Sequence, residues 1–384
     1  MILGAGVTGL AAGMATGLPV YEAKSSAGGI CASYYLDGYR FEVGGGHWIF
    51  GDPKPVTDLV PCRTYERKAS VKLNPGYIPY PLQANLDRLD LLTARMARQE
   101  LERSITDITG TMKEWMQKRF GSTLCHLFLD DFNKKYTAGL YGKIAPQDTY
   151  KTPTHGQGYN PTFVYPDGGL DKLVTAMASK CDVWYGKKVV DIFITGKKVK
   201  FEDGTEEHYD QLISTLPLNT MLDLCSLSAG RSDPHTSVIV LNIGAVRGSH
   251  CPDDHWVYCP VSKSGFHRVG FYSNVSNDFA PKGKVGLYVE KAFYGPHTTI
   301  DYADRAVSEL QQWGYIGDVD VVDTSIVDIA YTWSWPGSNW RKMAIDGLRS
   351  YGIQQVGRYG RWHFQGIAES ITEGLRCKSL ASQA

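Results

Sequence analysis

The first apolar block of the chain, Met1-Ile2-Leu3, ends at a glycine series, Gly4, Gly6 and Gly9, followed by small apolar residues to Gly13. This pattern predicts a short buried strand, a tight turn and a helix. Leu18 to Ala23 predicts a second short strand that closes on an acid, Glu22. Residues 86–136 carry apolar positions at helical spacing among many charges, notably Leu91–Leu101 and Met112–Tyr136, and predict helices. The stretch 144–162, rich in Pro, Gly, Thr and Gln, predicts a loop. From Val183 to Pro217 short β-type runs alternate with turns such as Glu202-Asp203-Gly204-Thr205. Strands are predicted at 236–246, 255–260, 265–274 and 285–293, then a helix near 301–314 and a strand near 318–330. A helical tail from about Gly366 closes the chain.

Strands feeding helices at both ends, with helices and an antiparallel sheet between, predict an α/β protein whose first domain is discontinuous. The 384 residues suffice for two domains with substantial cores, and 43% hydrophobic with 21% charged residues is a globular composition. Lys plus Arg and Asp plus Glu balance at 40 each, so no bulk field favours nucleic acid or an anionic membrane. No apolar run is long enough for a membrane span, and Met1 opening into a strand suggests no leader peptide. The eight cysteines form no CxxC pair and no zinc-type spacing, so no metal site is expected and the thiols read as reduced, as in the cytoplasm.

Gly4-x-Gly6-x-x-Gly9 sits between a strand and a helix, the context that gives this pattern meaning. Gly4 permits the turn, Gly6 admits a pyrophosphate to the backbone, and Gly9 lets helix and strand approach. The helix N-terminus offers unpaired N–H groups to phosphate, and Glu22, 18 residues after Gly4, can accept ribose hydroxyls. A small-molecule substrate handled through a dinucleotide cofactor follows.

The residues after Glu22 reach Gly28-Gly29, which resembles the second glycine pair of the FAD-dependent amine oxidase and glutathione reductase superfamily. Phe41 to His47, with Gly44, Gly45 and Gly46, resembles the glycine run beside the flavin ring, where a Cβ would collide with a flat cofactor. Gly357-Arg358-Tyr359-Gly360 resembles the terminal flavin-binding strand. The resemblance implies FAD, a Rossmann-like FAD-binding domain of glutathione-reductase type, an antiparallel β-sheet substrate domain and a helical insert. Its pieces would be 1–75, 146–220 (with a β-meander) and 341–384 for FAD, 76–145 for the insert, and 221–340 for the substrate sheet.

Within that superfamily the chain resembles the UDP-galactopyranose mutases, particularly the eukaryotic type. The carrying segments are Gly45-Gly46-His47-Trp48-Ile49-Phe50, Ile78-Pro79-Tyr80-Pro81-Leu82-Gln83, Asp131-Phe132-Asn133-Lys134-Lys135-Tyr136, and Trp256-Val257-Tyr258 with Phe266-His267-Arg268 and Phe271-Tyr272-Ser273-Asn274. The resemblance implies an isomerase that interconverts pyranose and furanose forms of a nucleotide sugar, with N5 of reduced FAD as nucleophile and no net redox change. It assigns His47 and Arg268 to catalysis, and Gly4, Gly6, Gly9, Glu22, Gly28, Gly29, Gly45, Gly46, His47, Val189 and Gly360 to the cofactor. Tyr80, Gln83, Asn133, Trp256, Tyr258, Arg268 and Asn274 fall to the substrate, with Arg268 on the pyrophosphate.

Taken alone, several of these residues have plainer readings. Tyr80 and Trp256 fit core aromatics, Gln83 and Asn133 fit caps or turns, Arg268 fits a solvated strand, and Lys134-Lys135 fits a solvated helix end. His47 also fits a buried, hydrogen-bonded histidine. The chain departs from the family too. Residues 145–165 contain no arginine, only Lys151 and His155 as basic groups, so Arg268 is expected to carry most of the diphosphate. Val275, Trp335 and Phe364 stand where the family has tyrosines. An FAD-dependent oxidase or desaturase of the amine oxidase or protoporphyrinogen oxidase type is the alternative.

Overall fold

The computed structural model describes residues 1–105, 109–147, 161–296 and 301–378. The three apolar residues that open the chain do form a strand, Ile2–Leu3, at the centre of a five-stranded sheet. Its order is Ile353–Gln355, Leu212–Ser214, Ile2–Leu3, Val20–Tyr21, Val183–Trp184, and every pairing is parallel. Strands from the start, middle and end of the chain thus build one layer. Parallel strands are covered on both faces, which explains their unbroken apolar runs.

Helices Val7–Thr16 and Ile367–Leu375 lie together on one face. They approach closely because position 374 is glycine: a Cβ there would press on Ala11 and on the Thr8 carbonyl. The other face is covered by the helices Leu218–Leu224 and Trp340–Ser350 and by the meander 189–208, whose core includes Phe201, Leu348 and Trp362.

The second layer is a seven-stranded sheet. Its order is Ile316–Thr332, His235–Arg247, Lys284–Phe293, Arg268–Phe271, Trp256–Tyr258, Ala69–Lys72, Tyr77–Pro79. All neighbours are antiparallel except Trp256–Tyr258 with Ala69–Lys72. The stretch 69–72, expected with the FAD-binding piece 1–75, therefore sits near the edge of the large sheet. Its pairing with 256–258, far along the chain, left no local mark.

Helices Leu91–Glu102, Met112–Leu124 and Asp130–Tyr136 pack on the sheet through Val71, Ile78, Phe128 and Trp333. The expected helical stretch 112–136 is broken at Gly121 (φ 78°) and carries a π-turn over Cys125–Leu129. Its start is fixed by a capping box: Thr111 and Glu114 each accept from the other's backbone N–H. Gly357–Gly360, expected as a strand, is a single helical turn after the strand Ile353–Gln355, entered through Gly357 at φ 79°.

Candidate active site

A cleft of about 740 Å³ runs from the Gly4–Gly9 turn, past the glycine run, to the aromatic wall of the large sheet and the helical insert. At the first end, Gly4 takes φ 93°, and a Cβ on Gly9 would strike the Gly4 carbonyl oxygen. Gly9 therefore serves the packing of helix on strand and does not line the cleft, whereas Gly4 and Gly6 do. Glu22 accepts the N–H of Ala5 at 2.8 Å and that of Lys24 at 2.9 Å, so it ties the turn to the end of the second strand. Gly28 donates to the Ala5 carbonyl at 2.9 Å, which sets Gly28 and Gly29 against the turn and into the same cleft.

The glycine run is crowded from within the chain. A Cβ on Gly46 would run into the ring of Tyr288, and one on Gly45 would stop 2.9 Å from Glu290 Oε1. The protein's own side chains already demand glycine there. Gly46 and His47 line the cleft; Gly45, at φ 80°, lies behind it. His47 Nδ1 lies 2.9 Å from the Gly45 carbonyl, and burial lowers its pKa, so the ring is neutral near pH 7. Directly upstream, the fully buried Glu42 accepts hydroxyls from Tyr165 and, at 3.1 Å, Ser33. Burial pushes its pKa up to about 7 against the opposing pull of Tyr165 and Arg40.

At the far end, Tyr80, Gln83, Asn133, Trp256, Tyr258 and Arg268 all line the cleft. Tyr80 and Tyr258 pack with ring centroids 4.7 Å apart, and Asn133 donates to the Leu129 carbonyl at 2.7 Å. Arg268 is not a solvated strand residue: Nε lies 2.9 Å from Glu290 Oε2 and Nη2 lies 2.7 Å from Oε1. Burial would push the Glu290 carboxyl up, but Arg268 and His267 outweigh it and hold it at about 2. His267 Nε2 stands 3.3 Å from Glu290, and burial lowers the histidine's own pKa.

Besides Gly9 and Gly45, three more assigned residues stand outside the cleft. Asn274 accepts from Arg247 at 2.9 Å and donates to the carbonyls of Pro252 and Asp254, holding that loop. Val189 lies on the meander against Phe201. Gly360 packs beneath the parallel sheet, where a Cβ would press on Gln355 and the Ser214 carbonyl. Lys135, read as solvated, donates to the Pro260 carbonyl and is half-buried, while Lys134 pairs with Asp131 in solvent. Lys151 and His155 lie outside the described residues.

Sequence reasoning missed Glu290, Arg67 and Arg358, all of which line the cleft. Arg358 donates to the Ala330 carbonyl at 2.8 Å and stacks on Phe364 with its guanidinium carbon 4.6 Å from the ring centre. Arg67 lies 5.3 Å from the Tyr80 ring centre. The arginines that 145–165 lacks thus stand in two other segments that reach the cleft. A lone acid in the apolar run 284–293 was the available signal for Glu290.

The first end of the cleft fits a dinucleotide. The space beside the Gly6 Cα is open, the helix beginning at Val7 has no side-chain cap, and the first residues of the helix Ile367–Leu375 also face in. Further along, buried polar atoms of Trp256, Arg358 (Nε) and Tyr359 (Oη) have no hydrogen-bond partner among the described residues, which suits a bound polar group.

Layers, crossover order and cleft together define the fold of FAD-dependent amine-oxidase-like enzymes. The sequence model for flavin containing amine oxidoreductases matches residues 66–244, and that family implies a flavin cofactor. In three dimensions the chain is similar to reduced UDP-galactopyranose mutase, with a TM-score of 0.89 and 22% identity over 97% of this chain and 91% of that one. A structure assigned provisionally as protoporphyrinogen oxidase, from Exiguobacterium sp. 255-15, gives a TM-score of 0.75 and 16% identity over 97% and 96%. Putrescine oxidase bound to putrescine gives 0.64 and 16% over 98% and 96%. At these identities the likeness is one of fold. Among the described residues no helix is long and apolar enough to cross a membrane.

Proposed function

We propose that the protein is a flavin-dependent mutase that interconverts pyranose and furanose forms of a nucleotide sugar, in the manner of UDP-galactopyranose mutase. The observation that carries this reading is the set Arg67, Arg268 and Arg358 along one aromatic-walled cleft. Guanidinium groups recognise a pyrophosphate, and aromatic faces accept a base and the apolar face of a sugar. A cationic amine would meet the like charges of Arg67 and Arg358 beside the Arg268–Glu290 pair, which weighs against an amine oxidase.

FAD would lie along Gly4, Gly6, Glu22, Gly28 and Gly29, with its ring end near Gly46 and His47. When bound and reduced, the cofactor supplies the nucleophile for exchange at the anomeric carbon. The chain's own residues do the rest. Arg268 and Arg358 hold the diphosphate and stabilise the leaving charge, while Tyr80, Trp256 and Tyr258 place the nucleoside and exclude water. Neutral His47 braces the glycine run through the Gly45 carbonyl.

The test is chromatographic conversion of UDP-galactofuranose with and without dithionite. Conversion that requires reductant, with no net flavin oxidation per turnover, supports the mutase. A substrate that bleaches oxidised flavin and leaves as an oxidised product would establish the oxidase reading instead.

A further inference from the structure

Arg268 and Glu290 are paired directly across adjacent antiparallel strands, Arg268–Phe271 and Lys284–Phe293. The Glu290 side chain is 3% exposed, whereas that of Arg268 is 24% exposed and reaches the cleft. A guanidinium has two edges that can each form a fork. Glu290 occupies the edge made by Nε and Nη2, which leaves the edge made by Nη1 and the outer Nη2 hydrogen for a ligand. His267 Nε2 stands 3.3 Å from Glu290 Oε2, the oxygen that Arg268 Nε also reaches.

We propose that Glu290 is a positioning residue: it presents the outer edge of Arg268 to the cleft and lowers the affinity of that edge for anions. This rests on the reading of the cleft as an anion site. Charge makes the case. The Arg268–Glu290 pair is neutral as a unit, and an anion on the outer edge of Arg268 sits one guanidinium away from the carboxylate. The attraction it gains from Arg268 is therefore partly cancelled by repulsion from Glu290. A singly charged group gains little from that balance. A diphosphate can also engage Arg67 or Arg358 in the same cleft and so keeps a net attraction. Orientation thus comes from one carboxylate, which gives up raw affinity in exchange.

The experiment is calorimetric titration of inorganic pyrophosphate and inorganic phosphate into the reduced holoprotein. Wild type, Glu290→Gln and the double variant Arg268→Gln/Glu290→Gln are compared. Removing the like charge should tighten both anions, pyrophosphate by roughly tenfold. The gain should vanish in the double variant. A lost fold cannot mimic tighter binding. Equal or weaker binding by Glu290→Gln, or a gain that survives loss of Arg268, overturns the proposal.

Should Glu290→Gln fail to fold, a crystal structure of wild type with pyrophosphate decides. Arg268 keeping its fork on Glu290 while its outer edge meets the anion supports the proposal. A guanidinium swung away from Glu290, or an anion that avoids Arg268, overturns it. The nucleotide reading is judged separately: if these anion results hold but UDP binds no more tightly than pyrophosphate, that reading fails and this one stands.

Discussion

The carboxylate of Glu22 accepts the backbone N–H of Ala5 at 2.8 Å, so the acid that closes the second strand also fixes the turn between Gly4 and Gly6. A second N–H, from Lys24, reaches its other oxygen at 2.9 Å. Glu22→Ala leaves both donors without their acceptor. We expect a stability loss of about 1–3 kcal/mol and lower flavin occupancy. Thermal melting and the ratio of flavin to protein absorbance measure the two effects, and full occupancy in the variant would contradict the assigned role.

Two glycines of the site should fail in different ways. Gly6, at φ −68°, has open space where a Cβ would go, so Gly6→Leu should preserve the fold while filling the approach for pyrophosphate. Purified Gly6→Leu should be colourless but fold cooperatively. Gly46→Ala would drive a methyl into the buried ring of Tyr288 and should destabilise the protein by about 1–3 kcal/mol whether or not flavin is bound. Circular dichroism melts of apoprotein and holoprotein separate the cases. Equal losses for both variants in the apoprotein would refute the division.

What was legible in the sequence follows the reach of each interaction. The Gly4–Gly9 turn, Glu22 and the Gly28-Gly29 pair are joined by contacts within about one βαβ unit; spacing places the turn and Glu22, and the family resemblance adds Gly28-Gly29. Glu290 meets Arg268 only because two strands pair in one register, and Arg67 and Arg358 reach the cleft from segments far apart in the chain. Asn274 was drawn in by its neighbours in the segment 271–274, yet a turning backbone points adjacent side chains in different directions. At Gly45 and Gly46 the packing against Tyr288 and Glu290 was hidden, since those residues are remote in sequence.

Glu42 offers a pH test. Burial holds its folded pKa at about 7, above the ordinary carboxylate value, with Tyr165, Arg40, Ser33 and Asp171 as the polar groups acting on it. Its protonated form is favoured in the folded state, so stability is fully present below the unfolded pKa and declines as pH rises through about 7. Glu42→Gln, uncharged at every pH, should remove that decline. The stability of the variant relative to wild type should therefore rise by about 1–3 kcal/mol between pH 5 and pH 8, read from urea unfolding at each pH. A pH-independent difference would mean that Glu42 stays ionised when folded.

Arg268 supports the most demanding prediction, because its removal affects both ligand and fold. Arg268→Ala takes the outer edge away from an anion, and a lost charge-assisted contact of about 1.5–3 kcal/mol weakens UDP roughly 10- to 100-fold. It also leaves Glu290 buried without its main cation, which should cost about 3–5 kcal/mol of stability. The pH dependence should invert as well. In wild type the Glu290 pKa of about 2 lies below its unfolded value, so its contribution is present at neutral pH and is lost as pH falls. Without Arg268, burial raises that pKa above the unfolded value, and stability instead falls as pH rises. Arg268→Lys should restore much of the stability by supplying charge, but only part of the UDP affinity, since an ammonium cannot form the two-edged fork. Urea unfolding at pH 5 and pH 8 with UDP titration of each reduced variant gives all four quantities. A destabilised Arg268→Ala that binds UDP like wild type would make Arg268 purely structural; a stable variant that has lost UDP would make the Glu290 pairing incidental.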